Sequence, residues 1–189
     1  LASDNQFLPE IRDSKVGDSY QPAASCTNIH YIPGYGYNQL MTVAAVPLDA
    51  TGNVNSQVVF GASENIYMNE KNLYVAMTYN NYGLPGFYRA LEQSTIVYKF
   101  EAKDGNVSFT RQAWVPGRIL NQFAMDEYDG NFRVATMTDQ DWNDSKPSGN
   151  HVYILDKNMT IVGKITDIAP GEKIYSTRFM GKRAYMVTF

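Results

Sequence analysis

Three carboxylates crowd into four positions of the stretch "NQFAMDEYDGNFRVATMT" (121–138): Asp126, Glu127 and Asp129. Two neighbouring carboxylates whose surroundings push their pKa values apart can divide the roles of general acid and general base, as hydrolases and lyases require. Asp126 and Glu127 are therefore the catalytic candidates. A second acidic group, Asp139, Asp141 and Asp144 in "DQDWND", spaces its oxygen donors like the start of a calcium loop. It lacks the glycine at the sixth position and the distal glutamate of an EF-hand, so a solvated acidic loop is favoured, with calcium the lesser alternative and no other cofactor expected.

The remaining chemistry-bearing residues are few. His30 and His151 are the only histidines, and neither stands in a metal-binding spacing. A Ser-His-Asp arrangement can assemble from distant positions, but no nucleophile-elbow motif marks one. The single cysteine, Cys26, rules out an internal disulfide and any zinc site built from several thiolates. It reads as a small buried filler rather than a nucleophile. "GYG" at 34–36 is too short to cradle a phosphate and reads as a turn.

The composition narrows the elements that must hold these groups. A chain of 189 residues suits one domain with a sizeable core. Sixteen basic against nineteen acidic residues leave a net charge of -3, which argues against a nucleic-acid partner. Aromatic residues make up 13% of the chain and charged residues only 19%, a bias toward pleated, half-buried surfaces. An all-β fold is expected. No stretch reaches the roughly 20 apolar residues of a membrane span. The opening "LASDNQFLPE" lacks the layout of a signal peptide, so the expectation is a cytosolic protein or one whose export signal has been removed.

Internal repetition gives the architecture. Three stretches, 40–79, 94–138 and 150–189, share one grammar. An apolar strand enters a polar turn ("LDATGN", "AKDGN", "LDKNM"), and a second strand ends at Gly or Pro-Gly ("VFG", "WVPG", "IAPG"). A tight hairpin then closes on "LYVAMT", "FRVATMT" or "AYMVTF". Four short strands at a period of roughly 40 to 50 residues are what a β-propeller blade requires. Propellers close with about four to eight blades, so about three repeats imply an incomplete ring. Residues 39–189 are then a partial propeller. Residues 1–38 fit no repeat and are expected to be a connector or a strand of a neighbouring blade.

Within the second repeat, Asp129-Gly130 as a two-residue type I′ turn fixes the ladder. Asp126 falls opposite Arg133, Glu127 opposite Phe132 and Met125 opposite Val134. Alternation puts Phe123, Met125, Phe132 and Val134 on one face with Glu127 near the turn, and Asp126 and Arg133 on the other. The same register sets Tyr67 opposite Tyr74 in the first repeat and Arg178 opposite Tyr185 in the third. An Asp126 paired with Arg133 is a structural group; two unpaired carboxylates facing an open channel would be an active site.

Long insertions follow the "VAMT" and "VATMT" strands, "YNNYGLPGFYRALEQS" (79–94) and "DQDWNDSKPSGN" (139–150). As equivalent loops of successive blades they open onto one face, where insertions of repeat folds gather. Tyr82, Phe87, Tyr88, Arg89 and Trp142 would line it, residue types enriched at binding hot spots. The alternative is that these loops only pack the ends of blades.

"ILNQFAMDEYDGNFRVATMT", "SENIYMNEKNLYVAMT", "VYILDKNMTIVGKITDIAPGEKIYSTRFMGKRAYMVTF" and the early "LPEIRDS" resemble the bacterial secreted β-propeller proteins distantly related to WD repeats. The resemblance covers most of the chain. It implies export to the surface or surroundings of a bacterium, further blades beyond the last phenylalanine, and in some members neighbouring extracellular modules such as copper-amine-oxidase-like N-terminal domains. It carries over no catalytic residue. The expectation is a non-enzymatic scaffold that binds a protein or carbohydrate on its loop face and packs against the remaining blades. A propeller hydrolase or lyase and a structural oligomerisation module are the alternatives.

Overall fold

The computed structural model describes residues 8–15, 17–26, 29–31, 39–49, 53–61, 64–80, 93–140 and 146–189. The chain divides into two compact units, one of Leu1–Ser63, Glu70–Asn72 and Phe100–Thr110, the other of Glu64–Asn69, Leu73–Lys99 and Arg111–Phe189.

In the first unit a short hairpin pairs β1 (Glu10–Ile11) with β2 (Gln21–Pro22). A three-stranded sheet places β5 (Asn55–Phe60) between β4 (Leu40–Ala45), antiparallel to it, and β3 (Ile29–Tyr31), parallel to it. Val58 and Val59 of the central strand are fully buried. Phe109 packs on His30 and Phe100 at ring distances of 4.1 and 5.7 Å. Cys26 corrects the sequence reading: it is exposed. It lies between β2 and β3 rather than on a strand face, so no sheet covers it.

The repeating architecture falls mainly in the second unit. β6 (Asn65–Met68), β7 (Asn72–Asn80), β8 (Gln93–Lys103) and β9 (Asn106–Pro116) form one four-stranded sheet in that order. β10 (Met125–Tyr128), β11 (Asn131–Thr138), β12 (Gly149–Leu155) and β13 (Ile161–Ile168) form another, antiparallel throughout. β14 (Ile174–Met180) and β15 (Arg183–Thr188) follow as a hairpin. The all-β, bladed architecture read from the sequence is the one observed.

The two four-stranded sheets are half a repeat out of phase with the sequence repeats. Each joins the hairpin that ends one repeat to the two strands that open the next. The inner strands show why. Residues 95–100 of β8 and 132–137 of β11 are buried without interruption, so both faces are covered and the sequence loses the alternation of a half-exposed strand. Such a strand also needs a neighbour on each edge to satisfy its backbone. The hairpin alone supplies one, and the next repeat supplies the other.

The turns follow local chemistry. Asp104-Gly105 and Asp129-Gly130 both hold positive φ at the two central residues, +50 and +73°, +52 and +73°, as a type I′ hairpin requires. Gly117 of "VPG" does more than end a strand. At φ +85° it lies so close to β11 that a Cβ would sit 2.7 Å from the Met137 carbonyl oxygen. Arg118 and Met137 exchange both backbone hydrogen bonds at 2.9 Å, and Thr136 Oγ1 donates to the Pro116 carbonyl at 2.7 Å. The end of one sheet is thereby pinned to the inner strand of the next.

Candidate functional site

The hairpin β10–β11 forms in the register expected from its turn: Met125 pairs with Val134, Asp126 with Arg133, Glu127 with Phe132 and Tyr128 with Asn131. Its entry differs from the expectation. Phe123 sits in a 3-10 turn, Gln122–Ala124, because the Asn121 side chain accepts the Phe123 N–H at 3.0 Å and caps the turn before the strand begins. The Phe123 ring is half exposed and lies beneath the Arg178 guanidinium, 3.9 Å away.

Adjacent residues of a strand point to opposite faces, and Asp126 and Glu127 accordingly meet different partners. Asp126 Oδ2 accepts from Arg133 Nε at 3.0 Å and also from Nη2. Arg133 Nη1 donates to the Gly181 carbonyl at 2.7 Å, and the guanidinium lies over the rings of Tyr128 and Phe179 at 4.9 and 5.0 Å. Their side chains are 22% and 11% exposed, so the pair is largely closed to solvent.

The Glu127 side chain reaches the hairpin of the preceding sheet. Its Oε2 accepts from Tyr74 Oη at 2.7 Å and from Asn69 Nδ2 at 3.0 Å. The Tyr74 ring stacks on Phe132 at 4.3 Å, with Lys99 Nζ 5.7 Å from the ring centre. Burial, then the hydrogen bond to Glu127 and its negative charge, push the Tyr74 phenol far above its ordinary range. Burial also raises Tyr67, against the opposing effect of a hydrogen bond from the Glu127 backbone. Sequence reasoning named both carboxylates but missed Tyr74 and Asn69 as partners of Glu127. The available signal was Tyr74 itself, placed in the first hairpin where Arg133 stands in the second.

His151, buried in β12, shows what a catalytic reading would demand. Its Nδ1 accepts the backbone N–H of Asp167 at 3.2 Å, so the neutral ring carries its proton on Nε2 and donates to Thr138 Oγ1, 3.1 Å away. Thr138 Oγ1 in turn donates to the Gly149 carbonyl at 3.3 Å. A triad needs the opposite tautomer, with Nδ1–H on a carboxylate and Nε2 free to take the nucleophile's proton. Burial, with help from Lys146 and against Asp167, holds the ring below the usual histidine range.

Of the calcium candidates, Asp139 is described. Its Oδ1 lies 3.5 Å from Arg118 Nη2 and 3.4 Å from Lys173 Nζ. Burial alone would raise its carboxyl, but these two cations outweigh that and hold it below the carboxylate range. Among the described residues no three His, Cys, Asp or Glu side chains are gathered for a metal. Asp141 and Asp144 lie outside the described residues, as do Tyr82, Phe87, Tyr88, Arg89 and Trp142 of the expected loop face. The strands flanking the two loops are in place: each loop joins the second strand of a four-stranded sheet to the third, β7 to β8 and β11 to β12.

Four-stranded sheets that repeat along the chain, each tied to the next through one rung of its hairpin, define a bladed β-repeat protein. The chain belongs to the beta propeller domain family, whose model matches residues 1–189. It is 49% identical over 90 residues to an uncharacterised protein of Methanocaldococcus jannaschii, a match covering 48% of this chain and 13% of the relative. It is 47% identical over 75 residues to an uncharacterised protein of Archaeoglobus fulgidus, covering 40% of this chain and 11% of the relative. These matches thus span a small part of either relative's length. Both relatives are archaeal, so the bacterial origin implied by the resemblance finds no support among them. No solved structure matches. Among the described residues no helix is long and apolar enough to cross a membrane.

Proposed function

We propose that this chain is part of an exported β-propeller acting as a non-enzymatic binding scaffold, with a protein or carbohydrate ligand on the face built by the β7–β8 and β11–β12 loops. The observation that carries this reading is the separate engagement of the two carboxylates: Asp126 is held by Arg133, which itself reaches the next hairpin, and Glu127 by Tyr74 and Asn69 of the preceding one. General acid and base groups must reach one substrate from a shared space. These two carboxylates instead serve different structural contacts, Glu127 directly and Asp126 through Arg133, and recognition is assigned to the aromatic-rich loops.

Affinity electrophoresis against a panel of soluble polysaccharides, with the same panel run on Tyr88→Ala and Trp142→Ala, tests the carbohydrate form. Retardation by at least one polysaccharide, lost in both variants while circular dichroism is unchanged, is the expected result. Equal retardation of parent and variants would remove the loop face from the proposal.

A specific observation also favours an assembly role. Tyr175, Met180, Tyr185, Val187 and Phe189 on and beside β14–β15 are all more than half exposed, and β15 has no second neighbour among the described residues. Exposed apolar side chains beside an open strand edge favour association, with further blades or with a second copy. Sedimentation over a hundredfold range of concentration separates the cases, since a chain monomeric throughout would exclude self-association.

A further inference from the structure

We propose that His151 is a proton-operated latch that holds the segment leading from β13 into β14, closed when the ring is neutral and released when it is protonated. The ladder between β12 and β13 shifts register between Asn150 and Val152. Asn150 pairs with Ile168 and Val152 with Ile165, so His151 alone faces both Thr166 and Asp167. Such a bulge leaves a backbone group without its ladder partner. Here the Asp167 N–H, on a residue at φ +57°, is taken up by His151 Nδ1 at 3.2 Å.

The residues around it hold the same segment. Asn150 Nδ2 donates to the carbonyls of Ile168 and Glu172 at 3.0 and 3.2 Å, and its Oδ1 accepts the Ile174 N–H at 3.1 Å. The Ser148 carbonyl accepts the Gly171 N–H at 2.8 Å. Ser148, Asn150 and His151, at the start of β12, thus fasten 167–174. Of the three, only His151 carries a group that can gain a proton between weakly acidic and neutral pH.

Protonation puts a second N–H on the ring at Nδ1, directly facing the Asp167 N–H. Two donors cannot share that contact, so the Asp167 N–H loses its acceptor. The groups facing the ring from each packed element are few. Thr138 Oγ1 of β11 accepts from Nε2–H in either state and keeps its own hydrogen for the Gly149 carbonyl. The Tyr153 ring of β12 lies 6.1 Å from the imidazole and stays neutral across this range, its phenol being raised by burial and then by Asp167. From the β11–β12 connection Lys146 opposes a positive ring, and from β13 the Asp167 carboxylate favours it. Burial tips the balance toward the neutral form, so the folded ring gains its proton at lower pH than an exposed histidine.

The sign follows. The contribution of a histidine whose folded pKa is depressed is complete above the ordinary histidine value and is lost as pH falls through the window down to the folded one. The latch therefore opens on acidification.

Nitrogen-15 spectra of the ring and amide hydrogen exchange, followed from pH 7.5 to 4.5 on the intact chain, test the proposal. The expected result is an Nε2–H tautomer at neutral pH. As the ring gains its proton, protection factors at Asp167, Gly171 and Ile174 should fall by about tenfold or more. The variant His151→Asn keeps an acceptor oxygen near the Nδ1 position and does not titrate, so its protection at Asp167 should not change over the range. A neutral ring protonated on Nδ1, or protection in the parent that does not change while the ring titrates, overturns the proposal even if the variant fails to fold. Loss of protection in the variant over the same pH range overturns it equally.

Discussion

At the same rung of two successive hairpins the protein uses different chemistry. β6–β7 sets Tyr67 against Tyr74, and β10–β11 sets Asp126 against Arg133. In both hairpins the residue on the second strand reaches forward to the next hairpin, and it meets the next rung toward that hairpin's turn. Tyr74 stacks on Phe132 and donates to Glu127; Arg133 covers Phe179 and donates to the Gly181 carbonyl. The ion pair thus occupies the place of an aromatic pair and makes the same kind of contact, a flat group over a ring with a donor at its end. A buried guanidinium needs a counter-charge that a phenol does not. Asp126 supplies it from the position where Tyr67 supplies a ring.

The comparison is most strongly tested by Arg133→Ala. It removes the forward hydrogen bond and both ring contacts and strands Asp126, and should cost about 3 kcal/mol in chemical denaturation. A loss below about 1 kcal/mol would mean that the pair is peripheral and the likeness to Tyr74 only positional. Tyr74→Phe keeps the stack on Phe132 and removes only the donor to Glu127, so a cost of about 1.5 kcal/mol is expected. If it proves neutral, the hydroxyl is not part of the tether. The smallest effect belongs to the double replacement Asp126→Tyr with Arg133→Tyr, which installs the first hairpin's pair in the second. Replacing a buried ion pair with packed rings is often close to neutral, and stability within about 1 kcal/mol of the parent is expected. A double variant as damaged as Arg133→Ala would show that the two solutions are not interchangeable.

Much of this hairpin is legible in the sequence. The Asp129-Gly130 dipeptide demands a turn with positive φ at both central positions, and once that turn is placed every cross-strand pair follows by counting. What counting does not give is contact between hairpins. Tyr74 and Glu127 are 53 residues apart, and nothing local to either names the other. Phe123 misled for a related reason: its alternation continues the strand, but the Asn121 side chain offers the backbone a competing bond and turns it away. The role of His151 was illegible, because a bulge that frees the Asp167 N–H leaves no pattern in the sequence. Repetition revealed the four-strand unit but not its phase, since a periodic signal has no natural starting point. The phase appears only when the edges of β7 and β11 find their partners.

That offset has a consequence for how such a chain can grow. Repeats that each close their own sheet can be gained or lost singly, with only the contacts between neighbours to repair. Here the first and second repeats each supply the first half of a four-stranded sheet, and the second and third each supply the second half of one. A duplication that copies any whole period, wherever its ends fall, restores the alternation of halves. One that copies part of a period leaves a strand without its neighbour. Insertions in such a lineage should therefore come in whole periods, or fall in the loops where no ladder is interrupted.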